Sequence, residues 1–294
     1  MPPTSAAAKP PGGFGAPFFA LVAGALAMGL SPIFVRLADV GPFASAFWRV
    51  ALALPLLWAW LKLSEKDAPA GSGIGLADLL AGLAFTGDLF FWHLSIVTTS
   101  VANATFFATT APIWVVAFGW LLLGERAAPR TLIGIALCVA GGLALLAQSF
   151  HLRPAGAIGD LYGAATGLFF GLYFLAVKAA RRVHSAARVT FIATVVTAAL
   201  LFVVALTLEP TILPHTAGGV AALCAMAWIS HAGGQGLLSI ALGRLPAAFS
   251  SLVIFLEAIA AAGFAYLLLG EPVSLAQAFG GLAILAGIYV ARPT

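Results

Sequence analysis

Leu121-Leu122-Leu123-Gly124-Glu125 returns, letter for letter, as Leu267-Leu268-Leu269-Gly270-Glu271, 146 residues further along the chain. At the same offset Gly134 answers to Gly280 and Gly141 to Gly287. Upstream, Ser95-Ile96 resembles Ser239-Ile240, and Gly29 to Arg36 resembles Gly171 to Lys178, with the offset drifting between 142 and 144 as small loop differences allow. Four matches in order describe an internal duplication, the feature to settle before any single element is read.

What is duplicated is apolar. Of 294 residues, 62% are hydrophobic and 8% charged, against about 45–50% and 25% in soluble domains. So few charges could not cover the surface of a soluble globule, and a disordered chain needs the opposite composition. A polytopic membrane protein is expected. The net charge of +4 does not point to nucleic acid, because the basic residues are scattered between apolar runs. Cys138 and Cys224 sit inside apolar segments, where packing is their expected role, with no disulfide or metal site. Residues 1–13 lack the signal-peptide pattern and are expected to be a disordered cytoplasmic tail.

A bilayer core of about 30 Å takes about 20 helical residues. Charged, Pro and Gly clusters divide the chain into ten such stretches: 14–35, 42–61, 77–97, 101–123, 130–148, 156–178, 187–208, 217–241, 246–269 and 274–291. With the N-terminus inside, eleven Lys and Arg fall on the inner side and three, Arg36, Arg49 and Arg153, on the outer. The positive-inside rule then puts both termini in the cytoplasm. Five spans per copy is an odd number, so the second copy lies upside down. The expected fold is all-α and integral to the membrane: ten transmembrane helices as two inverted five-helix repeats, 14–148 and 156–291, around a central cavity. Inverted repeats are the architecture of secondary transporters, with the site near the midplane.

Two five-helix halves, each closed by an apolar run ending in Gly-Glu and followed by a Gly-rich last helix, resemble the drug/metabolite transporter superfamily and its ten-helix EamA-type exporters. Residues 98–147 and 242–290 carry the likeness best, with Phe47-Trp48-Arg49 as the aromatic-Arg feature of the first half. Within the family the chain is most similar to the YddG-type exporters, which implies export of aromatic or a broad range of amino acids across the inner membrane. The second half departs from the pattern: it has no Arg at the place of Arg49, and Ala258 stands near the position of Pro112.

Polar groups in hydrocarbon usually face a cavity or the bundle interior. At α-helical spacing Asp88, Trp92 and Ser95 share one face of the third span; Trp228, His231, Gln235 and Ser239 form a matching stripe in the eighth. Asn103, Phe107 and Thr110 in the fourth, Tyr173 in the sixth, and Ser250 and Glu257 in the ninth complete the expected substrate-binding set. Each has a plainer reading as well: Ser and Thr bond their own helices, Trp anchors at the interface, a buried acid ties helices together. Arg49, near the outer end of its span, is expected to snorkel as an anchor. In the transport reading Asp88 or Glu257 meets the ammonium of an amino acid, His231 and Gln235 its carboxylate, and aromatic rings its side chain. Protons are a candidate coupling ion. No G-x-x-x-x-G-K-[ST], H-E-x-x-H or G-x-S-x-G motif is present, so neither ATP-driven pumping nor enzymatic catalysis is expected, and no cofactor. The rival reading within transporters is a broad exporter of lipophilic cations. A monomer is expected.

Overall fold

The computed structural model describes residues 15–65, 73–99, 101–146, 156–269 and 273–293. The expected tail 1–13, and Gly270-Glu271 of the second repeat motif, lie outside them. Among the described residues there is no strand. Among the described residues seven helical stretches are long and apolar enough to cross a membrane: Gly15–Leu37, Pro42–Ser64, Leu76–Ile96, Phe106–Leu123, Ala157–Ala180, Ala186–Leu208 and Ala247–Leu268. Two apolar helices, Pro129–Ala144 and Leu275–Ala291, are shorter. Large apolar side chains such as Leu83, Ile133, Val203, Leu268 and Leu285 stand exposed around the bundle. In water such a belt would be an aggregation surface; around helices of this length it is the face turned to lipid.

Several stretches are broken near their middles. The first is α1 (Gly15–Met28) followed by α2 (Ser31–Leu37), the second α3 (Pro42–Ala51) and α4 (Leu54–Ser64). After the unbroken α5 (Leu76–Thr98) come α6 (Val101–Ala108) and α7 (Ala111–Leu123). Pro32, Pro55 and Pro112 open α2, α4 and α7, where a missing N–H costs nothing and the ring disfavours continuation from the preceding turn. Gly124 ends α7 at φ +71°, a conformation that suits glycine, and the Glu125 amide returns to the Gly119 carbonyl at 3.2 Å.

Then follow α8 (Pro129–Leu146), α9 (Ala157–Ala180) and α10 (Ala186–Leu208). Next, α11 (Ala217–Ala225) passes into a π-helical segment, Met226–Gln235, and on into α12 (Gly236–Leu242). The chain finishes with α13 (Ala247–Val253), α14 (Leu256–Leu269) and α15 (Leu275–Ala291). The break between α13 and α14 has no proline; Ala258 occupies the place that Pro112 holds in α7.

Small residues set the packing. A Cβ on Gly134 would stand 2.6 Å from the Gly287 carbonyl oxygen, and one on Gly141 2.5 Å from that of Gly280, so α8 and α15 run antiparallel with their backbones in close contact. Cys138 lies in this seam, its Sγ 3.5 Å from the Ile284 carbonyl, and both cysteines are free. At the α1–α2 break, Gly29 meets the Ala260 side chain, the Glu257 carbonyl and the Ala261 amide; in α9, Gly171 meets Trp114, the Ala111 carbonyl and the Val115 amide.

At each end a carboxylate that terminates one helix bonds the start of another, Glu65 through side chains and Glu209 through a backbone amide. Glu65, the C-cap of α4, accepts from Ser185 Oγ at 2.6 Å and from the Arg188 guanidinium at 2.6 Å. Glu209, the C-cap of α10, accepts from the Phe43 amide at 2.9 Å at the start of α3. Free N–H groups in a first helical turn favour such negative charge.

Two measurements check this packing. Gly141→Leu is expected to lower the thermal midpoint in detergent by the equivalent of about 1–3 kcal/mol, the usual cost of overpacking, whereas Gly263→Ala, whose added carbon meets nothing within 4 Å, is expected to be neutral or slightly stabilising. The hydrogen bonds of Arg188 hold the Glu65 carboxyl below its ordinary range, against a smaller opposing effect of burial. A lowered folded-state pKa stabilises above the carboxylate range and is lost as pH falls through it. Glu65→Gln is therefore expected to cost up to about 1 kcal/mol near neutrality, with the difference from the parent closing in acid melts.

Candidate functional site

The broken helices converge on one chamber. Met28, Ser31 and Pro32 line it from the α1–α2 break, Thr109 from the α6–α7 break, and Ile254, Glu257 and Ala258 from the α13–α14 break. Arg49 enters from α3, Phe85, Asp88, Leu89 and Trp92 from α5, Phe170 from α9, and Gln235 from the last turn of the π segment. Irregular backbone at membrane depth is tolerated where it is buried or lines a cavity. The cavity volume is about 90 Å³, smaller than the roughly 300–1,000 Å³ of ordinary ligand sites.

Its electrostatics are concentrated. Arg49 is only 7% exposed and lies within Coulombic reach of Glu257 and Asp88. Among the described residues no ion pair closes between them, and Arg49 Nε, Ser31 Oγ and Gln235 Oε1 are buried without a hydrogen-bond partner. Buried polar atoms are normally satisfied; three unpaired ones from three elements in the wall of one cavity mark a place built for water or a bound polar group. Gln235 Nε2 is occupied, donating to Met28 Sδ at 3.3 Å. Glu257 sits in the first turn of α14.

Of the residues expected from the sequence, Asp88, Trp92, Gln235 and Glu257 are brought together here. His231 and Tyr173 stand behind Phe85, with ring centroids 5.4 and 4.8 Å from it. Thr194 Oγ1 gives its proton to the Thr190 carbonyl at 2.7 Å, so it receives the Nε2–H of His231 at 2.9 Å; Nδ1 is left as the unpaired acceptor.

The others are placed elsewhere. Ser95 donates to the Gly159 carbonyl between α5 and α9. Phe107 packs on Gly163, and Thr110 caps its own broken turn by donating to the Phe107 carbonyl. Ser239 is buried beside Ala186, and Ser250 is buried in α13 away from the lining. Trp228 is 51% exposed and donates to the Leu52 carbonyl at 3.0 Å. The Asn103 side chain lies outside what the structure describes.

The π segment explains the eighth-span stripe. Its i→i+5 winding rotates side chains away from α-helical register, so Gln235 turns inward while Trp228 turns out. In α5 the winding is regular, and the chamber is simply two turns deep: Phe85, Asp88 and Trp92 face it, whereas Ser95 and Thr99 already contact α9. Arg49 is the main residue the sequence misplaced. It does not snorkel outward, because the α3–α4 break carries α3 into the bundle; the signal was there in Phe47-Trp48-Arg49.

Comparison with known proteins agrees with this architecture. The sequence pattern of the family described as EamA-like transporters matches the chain twice, over residues 16–147 and 157–292. Two proteins of Archaeoglobus fulgidus, each described as an uncharacterized transporter, are 26% identical to it: one over 297 residues, 92% of this chain and 94% of the relative, the other over 269 residues, 88% and 91%. A solved crystal structure shares the fold at a TM-score of 0.82 and 20% identity, covering 94% of this chain and 97% of the other. Together with the apolar helices, the two matches identify a multi-pass membrane protein that belongs to the EamA-like transporter family, within the drug/metabolite transporter superfamily.

Proposed function

We propose that the chain is a secondary transporter that moves small amino-acid-like solutes through the Arg49–Asp88–Glu257 chamber by alternating access. The observation that carries this is the convergence of one guanidinium and two carboxyls at the helix breaks. A zwitterion brought into low dielectric needs both charges met. Arg49 and the chamber side of Gln235 suit the carboxylate, Arg49 bidentately; Asp88 or Glu257 suits the ammonium. Phe85, Trp92 and Phe170 form an apolar wall, which fits an aromatic or other hydrophobic side chain. His231 acts from behind Phe85. A carboxyl of the chamber that is not paired with Arg49 is where a proton would ride.

The reading includes ten spans in two inverted halves, residues 14–148 and 156–291. In its support, the family pattern matches twice with nearly these bounds. The Gly29 and Gly171 contacts are the same set of neighbours shifted by one repeat offset. Gly134 and Gly141, equivalent to Gly280 and Gly287, meet them in reversed order across an antiparallel seam, as a two-fold axis in the membrane plane would require. The contracted chamber fits an occluded state that widens when the halves rock. We place the protein in the inner membrane with both termini cytoplasmic, working as an exporter and as a monomer.

A second reading is favoured by the charge count of the chamber, two carboxyls to one guanidinium among aromatic rings: export of lipophilic cations, helped by cation–π contact. Proteoliposome uptake separates the two. The first expects saturable uptake of an aromatic amino acid, competed by unlabelled substrate and altered by a pH gradient. Arg49→Gln and Gln235→Ala should lower apparent affinity at least about tenfold, as when a hydrogen bond to a charged group worth about 1.5–3 kcal/mol is lost; Trp228→Phe should change it less than about twofold. Uptake of a labelled lipophilic cation without any amino acid would select the second reading, and flux of neither would remove both.

The inverted arrangement has its own check. Accessibility tags beside Glu125 and beside Glu271 are expected on opposite faces of the membrane; labelling of both from one face would exclude it.

A further inference from the structure

A second cavity, about 420 Å³ in volume, opens at the end of the bundle where α7 closes, within the size range of ligand sites. It lies between the two matched halves, bounded by the α7–α8 junction on one side and by the end of α9, the start of α13 and the last turn of α15 on the other. It shares no lining residue with the central chamber.

Its charge is one-sided. Arg126, Arg130, Lys178 and Arg244 line it, against Glu125 alone. That carboxylate is already engaged: one oxygen accepts the Ala247 amide at 3.1 Å and the other lies 3.8 Å from Lys178 Nζ. Behind the wall, Arg181 feels the charge of Arg244, and Lys178 feels those of Arg182 and Arg181. Like charges crowded beside low-dielectric protein repel one another and focus a positive field into the cleft.

We propose that this cleft binds a phosphate-bearing anion between Arg126, Arg130 and Arg244. Guanidinium groups match phosphate oxygens bidentately. Next to the lining residue Arg126 stands Trp120, 57% exposed, its ring centroid 5.7 Å from the Arg126 guanidinium and followed in the chain by exposed Leu121 and Leu122. Such a Trp marks the level of the lipid headgroups, and basic pockets between membrane helices hold anionic headgroups. A soluble phosphate compound presents the same oxygens. This site goes beyond the transport reading and stands whatever the substrate of the chamber is.

The test uses purified full-length protein in detergent, with phosphatidylglycerol, phosphatidylcholine or inorganic phosphate added, read by native mass spectrometry and by the thermal midpoint. Phosphatidylglycerol is expected to stay bound and raise the midpoint, and phosphatidylcholine to do neither. The double variant Arg126→Gln/Arg244→Gln should bind phosphatidylglycerol at least tenfold more weakly, while Lys62→Gln, a cation over a different Trp outside the cleft, should bind it unchanged. Protection by inorganic phosphate, with displacement of the lipid, would assign the same site to a free phosphate. Equal binding of both lipids, or wild-type phosphatidylglycerol binding by the double variant, would overturn the proposal. Should the double variant not fold, Arg244→Gln alone, at an exposed position, must show several-fold weaker binding, and unchanged binding there is equally decisive.

Discussion

Placing a guanidinium inside a lipid-facing bundle is costly unless opposite charge and hydrogen bonds surround it. In this protein Arg49 has opposite charge within Coulombic reach on two sides, Asp88 on the unbroken α5 and Glu257 at the start of α14, while its Nε is left without a hydrogen bond. The three groups tie elements of both halves of the chain to one point. The surrounding geometry follows: helices break where the backbone must bend around the charged cluster, glycines thin the contacts on either side, and aromatic rings screen the cluster from the apolar exterior. A bundle held together by apolar packing alone would have no reason for these interruptions.

The interruptions divide by cause. Pro32, Pro55 and Pro112 stand at the first turn of the helix that follows each break, so local chemistry dictates those three. The α13–α14 break is different. Ala258 imposes nothing, yet the chain turns there through the contacts of the Phe255 amide with Leu252 and the Glu257 amide with Ile254. Here the tertiary setting keeps the break without the proline, and Glu257 gains a helix N-terminus by it.

The apolar helices were legible in the sequence because their signal is length and hydropathy, which no tertiary contact alters much; so was the family, whose marks are short and fixed in spacing. Asp88 and Trp92 were legible because α5 winds regularly. The Trp228–Ser239 stripe was not, since α-helical spacing was applied to residues that wind as a π helix, and nothing short of the three glycines at 233, 234 and 236 hints at that. Arg49 was read by its distance from the span end, a measure that fails when the span is broken two residues later. Ser95, Thr110 and Ser239 show the commoner fate of small polar groups in membrane helices: they satisfy a neighbouring backbone.

The crossed capping of Glu65 and Glu209 limits how such a molecule can change shape. Parting α3–α4 from α10 would strand a helix start on both faces at once, leaving two carboxylates and their amide or hydroxyl donors without partners. That flank therefore behaves as a spine, and any enlargement of the chamber is expected from the opposite side, where the α8–α15 seam is built on paired glycines.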